Sequence, residues 1–244
     1  MVASSPISPS DSIKIVGVTY DGHLKFDKHV SEICRVTNFH LRALSHIRNC
    51  LTIPSANAIA CAIVGSKLDY CNAVLAGVSD YNVHRLQVVQ NRAAKIVLNV
   101  RGRASVSQLR DQLHWLPIAN RINYKVALLT FKTLVCHQPQ YLDALLVPYT
   151  PSRSLRSGSG HLLVVPHGRT VQHSRTFASY APRLLNRLLQ NLRDLAYLHS
   201  ASTNSDCFSN LFAFKSGLKT FLTLHLLPWS PECFFSTSAS VLRL

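Results

Sequence analysis

The chain has 244 residues, 47% of them hydrophobic, which is enough apolar material to core one or two domains and excludes a wholly disordered polypeptide. Lysine and arginine number 26 against 11 acidic residues, a formal charge of +15, so the balance fits a polyanionic partner. Seven widely spaced cysteines, an opening MVASSPISPS that lacks a signal sequence, and apolar runs far below the ~20 residues needed to span a bilayer point to a reduced intracellular chain, nuclear or cytoplasmic, neither secreted nor membrane-bound.

Residues 1–12 form a Ser/Pro-rich flexible lead. Ile13 to Thr19 alternates with a period of two and Asp21-Gly22 supplies a tight turn, which predicts a hairpin over 13–26 that packs on the helices after it or frays. From Asp27, an N-cap residue type, the period becomes helical, with Val30, Ile33, Cys34, Leu41, Leu44 and Ile47 on one face. Pro54, with Thr52 or Ser55 as cap, opens a second helix through Ala58, Cys61, Ala62, Ile63 and Leu68 that ends near Ala76-Gly77. Asp80 caps a third, whose inner face is Val83, Leu86, Val89 or Gln90, Ala93, Ile96 and Val97.

Beyond the connection RGRASVS, a segment Leu109 to Leu116 leads to Pro117, the start of a helix with Ile122, Val126, Leu129 and Thr133 inward. Trp115, beside two leucines, reads as a core anchor rather than a base-stacking ring. Pro139 to Leu146 is a short helix closed by Pro148, so a helical domain spans 27–147. A Ser- and Arg-rich loop over 148–176 carries a strand at His161 to Val165, and amphipathic helices at 177–192 and 208–227 make a C-terminal region over 177–244. The fold class expected is mainly α: a short N-terminal β-hairpin, a helical bundle, and a second small helical region with a little β.

Charge adds a second pattern. Lys28, Arg35 and Arg42 recur every seven residues of the first helix, drifting only ~20° per step, and so form a basic stripe. Arg85, Arg92 and Lys95 occupy a sector of the third helix, and Arg121, Lys125 and Lys132 lie along a later one. Between Asp143 and Asp194 there is no acidic residue but seven arginines: Arg153, Arg156, Arg169, Arg175, Arg183, Arg187 and Arg193. Such groups can track phosphates without reading bases, or can simply be solvated helix faces and linker.

The strings IKIVGVTYDGHLKFDKHV, VGSKLDYCNAVLAGV, RLQVVQNRAAKIV, LHWLPIANRINYKVALLTFKTL, PQYLDALLVPYTPSRSLRS, FASYAPRLLNRL and FKSGLKTFL, in that order over residues 13–222, resemble the C-terminal part of reverse transcriptases of non-LTR (LINE-type) retrotransposons. The resemblance implies that the hairpin with Val16 and Gly17 corresponds to the primer-grip end of the palm, and the helices to the thumb and terminal region. It also implies a truncated RNA-directed DNA polymerase, with fingers, most of the palm and any endonuclease upstream of Met1. Where many relatives read A-P-x-L-W-N-S-L-P, this chain has Ala181-Pro182-Arg183-Leu184-Leu185-Asn186-Arg187-Leu188-Leu189, a departure that marks sequence drift.

Nucleotidyl transfer needs clustered carboxylates for two metals, and the eleven here are scattered singly with no Asp-Asp. Asp21, Asp27 and Glu32, the densest set, suit a turn, a cap and a helix start, and Leu68-Asp69-Tyr70-Cys71-Asn72 suits a structural role in which the Tyr70 hydroxyl finds a partner. There is no C-x-x-C, and His161, His167 and His173 recur at a spacing that fits neither helical nor strand ligands. The expectation is therefore a non-enzymatic fragment without catalytic residues, metal, cofactor or small-molecule substrate, whose partner is RNA, DNA or their hybrid. The alternative is an inert remnant or a helical protein-interaction module with no nucleic-acid role.

Overall fold

A hairpin followed by helices is what the chain forms. The computed structural model describes residues 10–151, 161–197 and 204–224, the side chains of 204–209 apart. Strand β1 (Ser12–Ile15) pairs antiparallel with β2 (Val18–Asp21) in the register Ser12↔Asp21 to Ile15↔Val18. The turn is Val16-Gly17, both at positive φ (46° and 78°), as a two-residue type I′ connection requires. The tight turn expected at Asp21-Gly22 is present, the Asp21 carbonyl accepting from the Leu24 N–H at 2.9 Å, but it leads toward the next helix: the register that buries Val18 puts the hairpin's own reversal between Ile15 and Val18. Asp21 instead caps the next bend, its carboxylate accepting from the backbone N–H of Lys25 (2.8 Å) and Phe26 (2.7 Å).

Helix α1 spans Asp27–Ile47 and is followed by a 3-10 turn, Arg48–Cys50. Asp27 is the first helical residue, not the cap: Phe26 precedes it in the left-handed region, and Asp27 accepts from Asn82 Nδ2 at 2.7 Å. At the far end Ile47 is exposed and Arg48 is buried in the interior, reversing the expected inward face there. Helix α2 (Ile53–Ala60) is capped by Thr52, whose hydroxyl accepts from the Ser55 N–H. It runs through a π turn, Cys61–Gly65, into α3 (Ser66–Asp69).

The buried positions of that run are Ala56, Ala60, Val64 and Leu68, each four apart, whereas Ala58, Cys61, Ala62 and Ile63 are exposed. In a regular α-helix a four-residue repeat drifts around the axis. The wide π turn reverses that drift and keeps the four side chains inward. The helix stops at Asp69 rather than near Gly77, because Tyr70 is extended and Cys71 is left-handed (φ 50°). A 3-10 turn, Asn72–Leu75, precedes α4 (Asp80–Val97), which Ser79 rather than Asp80 precedes as the boundary residue.

The remaining helices are α5 (Val106–Gln112), α6 (Ile118–Cys136), α7 (Gln140–Asp143), α8 (Val171–Arg175), α9 (Phe177–Asn186), α10 (Gln190–Tyr197) and α11 (Asn204–Leu224). The single helix expected over 177–192 is broken after Asn186, and Leu188 is buried between its two pieces. The expected strand at His161 to Val165 is reduced to one bridge, Leu163 opposite Pro148, and the Asn186 side chain bonds both backbone groups of Leu163.

The chain divides into two compact units: Met1–Cys71 with Val78–Trp115, and Asn72–Gly77 with Leu116–Leu244. In the first, Leu44, Ala56, Ala60, Ala94, Val97, Leu109 and Leu113 make a cluster against which the half-buried Trp115 packs. In the second, α6 is central. It buries Ile122, Val126 and Phe131, stacks Phe131 on Phe214 (4.1 Å between centroids), and donates from Asn120 Nδ2 to the Leu222 carbonyl at 2.7 Å. The boundary falls inside the stretch 27–147, since Trp115 serves one core and α6, three residues later, the other. Among the described residues no helix is long and apolar enough to cross a membrane.

Candidate nucleic-acid interface

Within the first unit, α1 and α4 run side by side in the same direction, tied by polar contacts that recur along both. Asn82 donates to Asp27, Arg85 to the Ser31 hydroxyl (2.8 Å), and Arg92 to Asn38 Oδ1 (3.0 Å). Ser31 to Asn38 and Arg85 to Arg92 are each seven residues, so two helical turns on one helix match two on the other. Arg48 closes the ladder: its Nε donates to the carbonyls of Ile96 (3.0 Å) and Val97 (2.9 Å), and its Nη1 to Leu51 (2.7 Å). A guanidinium thereby satisfies the C-terminal carbonyls of α4, where helix geometry leaves acceptors over.

The ladder sets the sequence-predicted cations on one flank. Lys28, Arg35 and Arg42 are exposed along α1, and Arg85 and Arg92 are held against its edge from α4. Lys28 also reaches the Ser12 hydroxyl of β1 (3.2 Å), and Lys14 lies near enough to help depress the pKa of Glu32. Two of these groups have further partners. Arg35 makes a bidentate pair with Glu32 (2.9 and 2.8 Å), which holds the carboxyl below and the guanidinium above its ordinary pKa. Arg85 lies over the Tyr81 ring, 5.5 Å from its centroid. Lys95 turns away, toward the Gly102 carbonyl at 3.4 Å.

Val16 and Gly17, the residues matched to a primer grip, are the hairpin tip. Val16 is 76% exposed, and its carbonyl accepts from the Tyr70 hydroxyl at 2.8 Å. The Tyr70 ring lies so near Gly17 that a β-carbon there would meet Cε1 at 3.3 Å, so the tip is clamped from the end of α3.

The other candidates belong to the second unit. Arg121 is half-buried and Lys125 and Lys132 are exposed on α6. Arg153 and Arg156 lie outside the described residues. Arg169 is exposed, whereas Arg175 donates to the Ala76 carbonyl (3.4 Å) and packs along Gly77. Arg183 bonds the carbonyls of Ser174 and Ser179, and Arg193 those of Asn186 and Leu188. Three of the seven arginines between Asp143 and Asp194 thus bond backbone carbonyls, Arg183 and Arg193 nearby in sequence and Arg175 far from it, which accounts for part of that charge without a ligand. Burial pulls the Arg183 guanidinium below its ordinary pKa.

Arg48, Lys14 and the exposed Phe39 were not singled out in sequence. Phe39 had a legible signal, four residues after Arg35 and three before Arg42. Among the described residues no three His, Cys, Asp or Glu side chains converge as metal ligands would. His161 instead pairs with Asp194 (2.8 Å) and stacks on Tyr197. Comparison with known proteins adds no relative: no family model, no curated protein and no solved structure matches this chain.

Proposed function

We propose that this chain is a non-catalytic piece of a LINE-type reverse transcriptase that binds RNA, DNA or their hybrid through the phosphate backbone, in the nucleus or cytoplasm. The observation that carries the reading is the ladder: hydrogen bonds to Ser31 and Asn38 hold Arg85 and Arg92 beside the exposed cations of α1, so that one face offers several positive groups in two rows. A stripe on one helix would serve solvation equally well. Two rows in matched register suit a polyanion that runs along the helix pair. The seven-block resemblance supplies the family, and the clamped hairpin tip suits the primer-grip correspondence.

The test is fluorescence anisotropy of the full chain on a labelled primer-template from low to high salt. Binding weakens steeply with salt, and Arg35→Ala with Arg42→Ala lowers both the affinity and the log–log salt slope, by about 0.7–0.9 for each phosphate that is no longer neutralised. Affinity and slope unchanged by those substitutions, and by Arg85→Ala with Arg92→Ala, would overturn the reading.

A further inference from the structure

We infer that Phe39 is a stacking platform for an unpaired base, so that the ligand of the α1 face is single-stranded nucleic acid. This rests on the backbone-binding reading above and names its substrate class. Phe39 is 69% exposed in the middle of α1. Its neighbours one turn away are Arg35 and Val36 on one side and Arg42 and Ala43 on the other, ~5–6 Å between β-carbons. One cation therefore stands a turn before the ring and one a turn after it. A nucleotide whose base lies on the ring has its flanking phosphates within reach of both.

Lone exposed apolar residues are ordinary on protein surfaces, and Phe212 and Tyr141 are others here. Phe39 differs in lying inside the cationic row. Its ring and that of His40 lie 5.5 Å apart at 74°, a T-shaped contact rather than a parallel stack. Tyr81, 68% exposed beside the same ladder, is less suited, because the Arg85 guanidinium lies over its ring. Glu32 is the one carboxylate in the α1 row. It is engaged with Arg35 in an exposed pair, which a phosphate can displace because exposed pairs are weakly held.

The inference separates strands from duplexes on physical grounds. Bases inside a duplex are stacked on both faces and cannot reach a ring on a helix surface, whereas unpaired bases of any sequence offer a free π-face. A protein partner docking on Phe39 would instead have to desolvate Arg35, Arg42 and Arg92 around it, which disfavours that occupant.

The experiment compares the full chain and Phe39→Ala on a labelled oligothymidylate, on an abasic oligomer of equal length and charge, and on a blunt duplex. Phe39→Ala weakens oligothymidylate binding by about tenfold, the scale of one base–aromatic stack. It leaves the abasic oligomer, the duplex and the salt slope unchanged, and Phe39→Tyr restores the affinity. Equal affinity of Phe39→Ala for oligothymidylate, or an equal weakening on the abasic oligomer, overturns the inference. So does a changed oligomeric state in gel filtration with oligonucleotide affinity intact, the signature of a protein-docking residue. Arg35→Ala with Arg42→Ala on the abasic oligomer reads the backbone interaction alone, so the stacking inference can fail while the binding reading stands, and a chain that binds none of the three probes removes both.

Discussion

Arg48 Nε donates to the Val97 carbonyl at 2.9 Å, so a side chain just past the end of α1 terminates α4, forty-nine residues later. Arg48 is 8% exposed, and it also bonds Ile96 and Leu51. Replacing it by methionine keeps most of the apolar bulk and leaves three carbonyls without that donor. We expect Arg48→Met to destabilise the chain by about 2–4 kcal/mol in urea unfolding, with Arg48→Lys in between because a single ammonium cannot reach all three acceptors. Unchanged stability of Arg48→Met would show that water replaces the cap.

The hairpin tip stores strain that can be removed. Val16 is β-branched yet holds φ at 46°, a region that Asn and Gly occupy more easily. Val16→Asn should stabilise the chain by roughly 1 kcal/mol, part of the usual left-handed penalty. Tyr70→Phe, which removes the hydroxyl bound to the Val16 carbonyl, should loosen the tip and speed amide exchange in β1 and β2. The two substitutions act on one turn, so their effects should not add.

His29 makes stability depend on pH. Burial, and then the Lys14 ammonium, hold its pKa below the ordinary 6.5, and the Thr19 N–H points at its Nδ1 from 3.5 Å. The neutral ring is thus the folded form, and the unfolded chain takes up a proton first as pH falls. The contribution of His29 is complete above about pH 6.5 and is lost as pH drops through the lower folded value. Urea midpoints measured from pH 7.5 to 5 should fall, and His29→Leu should flatten that part of the curve. An equal slope in the variant would assign the loss to other groups.

In the second unit the Tyr180 hydroxyl donates to Asn123 Oδ1 at 2.7 Å with both residues buried, and burial pushes the phenol well above its ordinary pKa. Tyr180→Phe removes that donor and should cost about 1–3 kcal/mol. Tyr180→Phe with Asn123→Leu should recover part of it, because an apolar pair leaves no polar atom to satisfy. Tyr180 should also resist ionisation at alkaline pH that titrates exposed tyrosines, which ultraviolet difference spectra would follow.

Much of the architecture was legible because burial leaves a periodic trace. The inner faces of α1 and α4 matched Val30, Leu41, Leu44, Val83, Leu86, Ala93 and Val97, Thr52 capped α2, and Trp115 packed on a core. Local signals misled where a distant contact outweighed them. Asp21-Gly22 does turn the chain, but toward α1, and the pairing of β1 with β2 put the hairpin's reversal at Val16-Gly17. The second helix was expected to run through Ala58, Cys61, Ala62, Ile63 and Leu68, of which Leu68 is buried, but the π turn directed Ala56, Ala60 and Val64 inward with it and left the other four exposed.

The candidate interface divides the same way. Seven-residue spacing alone placed Lys28, Arg35 and Arg42 on one side of a helix, since helical geometry requires it. The alternation after Ser12 and the change of period at Asp27 likewise determined a hairpin followed by helices. What composition could not distinguish was which arginines face solvent and which bond carbonyls. Arg48, Arg175, Arg183 and Arg193 have the same side chain as Arg42, and only packing brought helix ends and backbone acceptors within their reach. Tertiary structure also decided that α4 would lend Arg85 and Arg92 to the face of α1. That alignment depends on Ser31 and Asn38 meeting residues fifty-four positions away, a relation that no local pattern encodes.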